Sequence, residues 1–251
     1  MIMNSIDFRL NLIRKRMAAA CIGSQRPPEQ VTLLGVSKSR SLEEIRQAYA
    51  AGLRCFGENR WQEAQPKLEA LADLNIEWHF IGRLQSNKTK HIAQHFSWVH
   101  SVVNEKIAER LNQHANHGAP LNVCIQINID DDPNKAGIEP AQAIELAAII
   151  DALPNLTLRG LMTVPKKHQS LTQDQQSYQR MSVLFNELQQ AGHKLDTLSM
   201  GMSRDFEAAI SEGATLVRVG KNLFGPLENT DSPTNELLAE HSSYLNQSTT
   251  G

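Results

Sequence analysis

The sequence has no C-x-x-C pair. Its three cysteines, Cys21, Cys55 and Cys124, stand far apart. An odd, scattered set offers no disulfide framework and fits reduced thiols used as small core residues. No apolar run is long enough to span a bilayer. The opening stretch MIMNSIDFRLNLIRKR lacks the apolar middle of a secretion signal, so the cytoplasm is the expected compartment. Neither charge sign dominates: 25 Lys and Arg face 27 Asp and Glu, a formal net of −2, which leaves no electrostatic footprint for nucleic acid. No Pro/Gly-rich linker and no sequence repeat divides the 251 residues. The hydrophobic fraction is 41% and the charged fraction 21%. That excludes a disordered, collagen-like or coiled-coil chain and supports one domain with a real core.

Within that chain, apolar runs alternate between two periods. Ile6, Leu10, Ile13 and Met17 recur at helical spacing, up to Arg26-Pro27-Pro28. Strands are then expected at 31–38, 54–58, 77–82, 98–102, 121–128, 156–163, 197–201 and 216–220, with helices between them. Ser41 with Glu44, and Thr172 with Gln175, read as capping boxes. Pro140 sits in the first turn of its helix, and a short helix is expected from Arg204 to Ser211. Strict βα alternation argues a parallel sheet, and eight units in this length is the arithmetic of a closed (β/α)8 TIM-type barrel with an extra N-terminal helix. An open doubly wound sheet would announce itself with G-x-G-x-x-G after its first strand, which is missing. The barrel is expected over 1–228, followed by a polar tail over 229–251 with one weak helical patch from Glu236 to Leu245.

A barrel builds its site at the C-terminal ends of its strands. Lys38 closes the first strand on the side of Leu34 and Val36. Desolvation there would make its amine nucleophilic and suited to a Schiff base with an aldehyde; taken alone, such a lysine more often reaches to water. Ser199-Met200-Gly201-Met202-Ser203 and Gly220-Lys221-Asn222 end the last two strands, where barrels often hold phosphate on backbone N–H groups. Ser203 also stands where it could cap the next helix. Arg218, mid-strand between Val217 and Val219, needs a partner if buried. That partner is either a carboxylate such as Glu58 or an aromatic ring nitrogen, which an arginine would keep unprotonated. His91 and His95 lack the Glu of H-E-x-x-H, and no carboxylate cluster marks a third metal ligand. Neither a G-x-S-x-G elbow nor a Walker loop is present.

Val36-Ser37-Lys38, Phe56-Gly57-Glu58-Asn59, the run His79 to Gln85, Gly160 to Thr163, Ser199 to Ser203 and Arg218-Val219-Gly220 occur in this order. Together they resemble the pyridoxal phosphate homeostasis proteins (YggS/PROSC-like), whose barrel is similar to the N-terminal domain of alanine racemase. The resemblance implies pyridoxal 5′-phosphate as cofactor, with Lys38 as the Schiff-base lysine. It implies Ser199, Gly201, Ser203, Gly220 and Lys221 at the phosphate, Arg218 facing the pyridine nitrogen, and Asn59 beside the cofactor. Two departures stand out. Lys221 replaces the family's usual hydroxyl residue, and the loop Val164-Pro165-Lys166-Lys167-His168 is more basic than the family pattern.

The implied function is vitamin B6 homeostasis: storage, buffering or delivery of the cofactor without robust catalysis. Other B6 vitamers and PLP-dependent apo-enzymes are the candidate partners, with neither nucleic acid nor membrane, and a monomer rather than a dimer. The alternatives are a PLP-dependent amino-acid racemase or aldolase and, further off, a class I Schiff-base aldolase. Each needs an acid or base poised at the substrate carbon. In the related racemases a second domain and a partner subunit complete the site and supply a tyrosine. This chain has three tyrosines; Tyr49 and Tyr178 fall on expected helices and Tyr244 in the tail.

Overall fold

The computed structural model describes residues 5–115, 118–166 and 170–226. The polar tail and its helical patch lie outside the described residues, as do Lys167 and His168. The chain runs α1 (Ile6–Gly23), β1 (Thr32–Val36), α2 (Leu42–Ala50), β2 (Cys55–Glu58), α3 (Trp61–Ala70), β3 (Glu77–Phe80), α4 (Thr89–His95), β4 (Trp98–Val102) and α5 (Glu105–His114). It continues with β5 (Leu121–Ile127), α6 (Ala143–Asp151), β6 (Leu156–Thr163), α7 (Leu171–Gln190), β7 (Thr197–Met202), α8 (Phe206–Ser211), β8 (Leu216–Val219) and α9 (Lys221–Phe224). The eight strands close into one parallel barrel in sequence order. The final seam pairs Leu34 with Arg218 and Gly35 with Val219. This is the (β/α)8 architecture the alternation implies.

The strands are short and largely buried, and their helix-facing sides are apolar, as a helix-covered parallel sheet requires. Phe56, Phe80, Phe96, Ile92, Leu111, Ile150 and Phe206, all at most 2% exposed, fill the layer between sheet and helices. Each such side chain contributes about 1.5–3 kcal/mol on burial. Inside the barrel the apolar content is small: Trp98, Cys124 and Met162 form a cluster of their own. Polar side chains bonded to one another cross much of the remaining interior.

α1 begins at Ser5, whose hydroxyl accepts from the Phe8 N–H, and buries Ile6, Leu10, Ile13, Met17 and Cys21. It packs on α2, α8 and α9, beside the β8–β1 seam. Its arginines reach over: Arg9 Nε donates to Leu223 O at 2.7 Å and Arg16 to Glu207 at 2.6 Å, and Arg26, just past the helix, donates to Ile210 O at 2.8 Å.

Several local details differ from the sequence reading. Ser41 and Glu44 form the expected capping box. At α7, however, the cap is Ser170, which accepts from Gln173 N, so the helix starts before Thr172. Pro140 opens a 3-10 turn (Pro140–Gln142) that leads into α6. α8 starts at Phe206, so Ser203 is no helix cap. Instead Asp205 turns its carboxylate back onto the Met202 N–H at 2.7 Å. The four-residue α9 was not expected at all.

Candidate functional site

The C-terminal rim is built around Glu58, the last residue of β2, which is fully buried. Its Oε1 accepts from Ser37 Oγ and from Lys67 Nζ, each at 2.7 Å. Lys67 also donates to Ser37 O at 2.7 Å. Trp61, Ala64 and Lys67 recur every three residues along the buried face of α3, so the helix delivers its ammonium group under the turn that carries Lys38. A buried ion pair needs such extra bonds to offset desolvation. Arg218 does not pair with Glu58, because its guanidinium is turned to Ser199 and Thr163 instead.

Arg218 is 4% exposed and lies inside the barrel. It donates to Ser199 O at 2.8 Å, to Ser199 Oγ at 2.7 Å and to Thr163 O at 2.6 Å. A guanidinium has five N–H donors, so two remain without a partner among the described residues. Burial lowers its pKa from the free value, while the Tyr178 and Asp205 side chains act to raise it. Beyond Ser199 a polar chain crosses the barrel. His100 Nδ1 lies 3.0 Å from Ser199 Oγ, His79 Nδ1 lies 2.9 Å from His100 Nε2, and His79 Nε2 lies 2.8 Å from Glu77. Burial depresses both histidines: His79 against the pull of Glu77, and His100 well below its ordinary value, with His79 and Arg218 adding to the effect.

The expected site residues are distributed as follows. Lys38 lies in the turn beyond β1, two residues past the strand, and is exposed. The burial that would desolvate it is absent, because the strand ends at Val36 and the turn lifts the side chain off the apolar face. Gly220 packs directly on that strand end: a Cβ there would stand 3.2 Å from Val36 O. Lys221, the first residue of α9, is exposed. Asn222 donates to Ser203 O at 2.7 Å and ties the loop after β8 to the loop after β7. Gly201 has φ +89°, and a Cβ there would lie 2.5 Å from Ala209 Cβ; only glycine fits that turn. Asn59 follows Glu58, and its Oδ1 and Glu58 Oε2 are buried without a hydrogen-bond partner. The rim thus gathers Lys38, Asn59, Gly201, Ser203, Gly220 and Lys221 on consecutive or seam-paired strand ends. Ser199 stands deeper, fully buried, with its hydroxyl committed to Arg218 and His100.

The sequence reading missed Lys67 and His100, and it gave no role to His79 and Thr163 although both fall in runs that carry the resemblance. Lys67 had a signal in its three-residue spacing from Ala64. The His91 and His95 rings pack on Trp61, with centroids 5.1 and 5.0 Å from its ring. Tyr178 is on α7 and fully buried. Burial pushes its hydroxyl well above the ordinary tyrosine range.

Residues 23–228 match the family model described as alanine racemase, N-terminal domain. The pyridoxal phosphate homeostasis protein of Pasteurella multocida is 46% identical over 226 residues, 88% of this chain and 97% of that protein. The chain belongs to the pyridoxal phosphate homeostasis protein family. The solved structure of PipY from Synechococcus elongatus with PLP bound is a family-level neighbour at 40% identity, with TM-score 0.74, covering 85% of this chain and all of PipY. Alanine racemase of Clostridium difficile shares the fold alone, at 16% identity and TM-score 0.68. There the match spans 93% of this chain and 58% of the racemase.

Proposed function

We propose that this chain binds pyridoxal 5′-phosphate at the C-terminal rim and stores, buffers or delivers it in the cytoplasm without turning over amino acids. The observation that carries the reading is the β8–β1 seam. It sets Lys38 and Gly220-Lys221 side by side above Arg218, a buried donor with N–H groups to spare. The partnerless Asn59 Oδ1 beside them and the glycine-lined turns fit a flat, phosphate-bearing aldehyde.

In this reading Lys38 supplies the amine that holds the aldehyde covalently. The backbone at Gly201, Ser203, Gly220 and Lys221 receives the phosphate. Arg218, fixed by Ser199 and Thr163, donates to the ring nitrogen and keeps a proton off it, since two cationic donors do not face each other at bonding distance. Ser199 then acts chiefly by positioning Arg218. The group itself, when bound, supplies an electron-withdrawing ring. The chain offers that ring little help in turnover, because Tyr178 is buried and its hydroxyl is kept protonated. The same reading takes the protein as a monomer, with other B6 vitamers as ligands and PLP-dependent apo-enzymes as recipients.

The test is borohydride reduction of the loaded protein followed by peptide mapping. The pyridoxyl group is expected on Lys38; finding it mainly on Lys221 or Lys135 overturns the assignment. Racemisation or decarboxylation of an amino-acid panel at about one turnover per second or faster would overturn the non-catalytic part.

A further inference from the structure

At the opposite end of the barrel, β2 and β3 begin side by side. Cys55 and Glu77 are register partners, and His79 lies two residues along the same strand, beside Gly57. Cys55 Sγ is 3.4 Å from Glu77 Oε1, and Glu77 Oε1 is 2.8 Å from His79 Nε2. The three donor atoms all lie within 4.8 Å of one another. Glu77 and His79 border a cavity of about 210 Å³ in the N-terminal mouth, which Thr32, Trp98, Thr197 and Leu216 also line. We propose that Cys55, Glu77 and His79 form a three-ligand site for a zinc-like divalent cation in this mouth, with water in the fourth position.

The donor set is the first argument. Thiolate, imidazole and carboxylate are the ligands zinc takes, and three protein ligands plus water make an open tetrahedral site. The second is the way His79 is held. Its ring is 1% exposed and stacks on Trp98 with centroids 5.3 Å apart and planes 9° apart. Its Nδ1 is engaged by His100 at 2.9 Å, which leaves Nε2 directed at the other two donors. Metal-binding histidines are fixed in this manner, through the ring nitrogen that does not touch the metal.

Spacing is the third argument. Bonds of roughly 2.0–2.3 Å at tetrahedral angles put ligand atoms about 3.3–3.5 Å apart. The cysteine–glutamate pair already stands at that separation. The glutamate–histidine hydrogen bond must open by about half an ångström, which the exposed Glu77 side chain can follow. Charge fits too: one carboxylate and one thiolate balance a dication. Arg159, the cation lining the cavity, is neutralised by Asp196 at 2.6 Å. Without a metal, burial and Glu77 push the Cys55 thiol up to about 12, so loading releases its proton to solvent.

Loading also reverses the polar chain above the site. Without a cation, Glu77 accepts from His79 Nε2–H, His79 Nδ1 accepts from His100 Nε2–H, and His100 Nδ1 accepts from the Ser199 hydroxyl. A cation on His79 Nε2 moves that ring's proton to Nδ1, and His100 likewise becomes the Nδ1–H form, donating to Ser199 Oγ. The reversal ends on the oxygen that also accepts from Arg218. None of this depends on the pyridoxal phosphate reading.

The test is titration of the metal-stripped full chain with Co²⁺. The expected result is saturable one-to-one binding, a thiolate-to-cobalt band in the near ultraviolet, tetrahedral d–d bands, and displacement of all three by Zn²⁺. Cys55→Ala should abolish the near-ultraviolet band and weaken binding roughly 100-fold or more, and Glu77→Gln roughly tenfold. Cys21→Ala should leave both untouched. Urea midpoints confirm that each variant is folded, and the exposed Glu77 gives a second handle if Cys55→Ala is not. Absence of a thiolate band in the unaltered protein, or a band that survives Cys55→Ala, overturns the site. So does unchanged cobalt affinity in Glu77→Gln. In ¹⁵N spectra, zinc should switch His79 and His100 from the Nε2–H to the Nδ1–H form; unchanged tautomers would sink the reversal.

Discussion

Replacing Lys67 with methionine removes an ammonium group and leaves the Glu58 carboxylate buried without its charge partner. The Lys67 side chain is 10% exposed and that of Glu58 is at 0%, so water cannot take over the lost bond. Breaking a buried pair from one side costs about 3–5 kcal/mol. Glu58 keeps one donor, Ser37 Oγ, which places Lys67→Met near the lower end, about 3 kcal/mol. The double variant Lys67→Met/Glu58→Met removes the stranded charge as well. Ser37 Oγ then still has Gly57 O at 3.3 Å to bond, and only Ser37 O loses a donor, a loss of about 1 kcal/mol. The double variant is therefore expected to be more stable than Lys67→Met alone by about 2 kcal/mol. Urea unfolding at neutral pH, with slopes compared to verify that the cycle stays two-state, measures all four corners. A single variant costing under about 1 kcal/mol, or a double variant less stable than the single, would refute the idea that charge burial rules this corner of the site.

Three further outcomes are expected. His100 is held neutral by burial, with a folded pKa below the ordinary 6.5; its stabilising effect is present above 6.5 and lost as pH falls toward the folded value, because the unfolded chain takes up a proton the folded one refuses. Between about pH 7.5 and 5.5 that loss is on the order of 1 kcal/mol, so His100→Asn should flatten the urea-midpoint profile in this window, and an unchanged slope contradicts the assignment. Gly82→Ala would place a Cβ 1.9 Å from Asn59 O, a backbone atom, and should cost about 3 kcal/mol or more in the same assay, whereas Gly23→Ala, with nothing within 4 Å, should not destabilise. Lys221 is exposed, so Lys221→Ala should weaken pyridoxal phosphate by only about 0–1 kcal/mol, more at low salt, while leaving unphosphorylated pyridoxal unchanged; equal losses for both ligands would remove the side chain from phosphate binding.

The barrel was legible because its signals are local. Runs such as Val31 to Val36 or Leu121 to Ile127 are rich in Val, Leu and Ile and bounded by turn residues, as strands under helices must be, and the βα count follows directly. Ends of elements were less so: α9 is a single turn, too short to show a period, and Asp205 turns back to Met202 where Ser203 looked like the cap. The rim residues could be placed from strand ends, but the interior chain Glu77–His79–His100–Ser199–Arg218 could not. Its members come from four strands, and nothing near His100 in sequence indicates that it sits between His79 and Ser199. Lys38 shows the same limit in reverse: strand periodicity continued two residues too far, and the turn carries its side chain out to water.

The seam that brings Lys38 beside Gly220 also dictates the order of events in synthesis. Arg40 donates to Gly225 O at 2.6 Å across 185 positions of sequence, and Arg9 grips Leu223 and Phe224 from still farther away. Joining ends so distant costs roughly 4–5 kcal/mol in chain entropy, and the rewards arrive only when β8 pairs. A nascent chain that has not yet released Leu216 from the ribosome therefore carries β1 and β7 with bare edges, open to pairing with other chains. The newborn protein is at its stickiest immediately before its last strand emerges, and a translational pause there is where chaperone demand should peak.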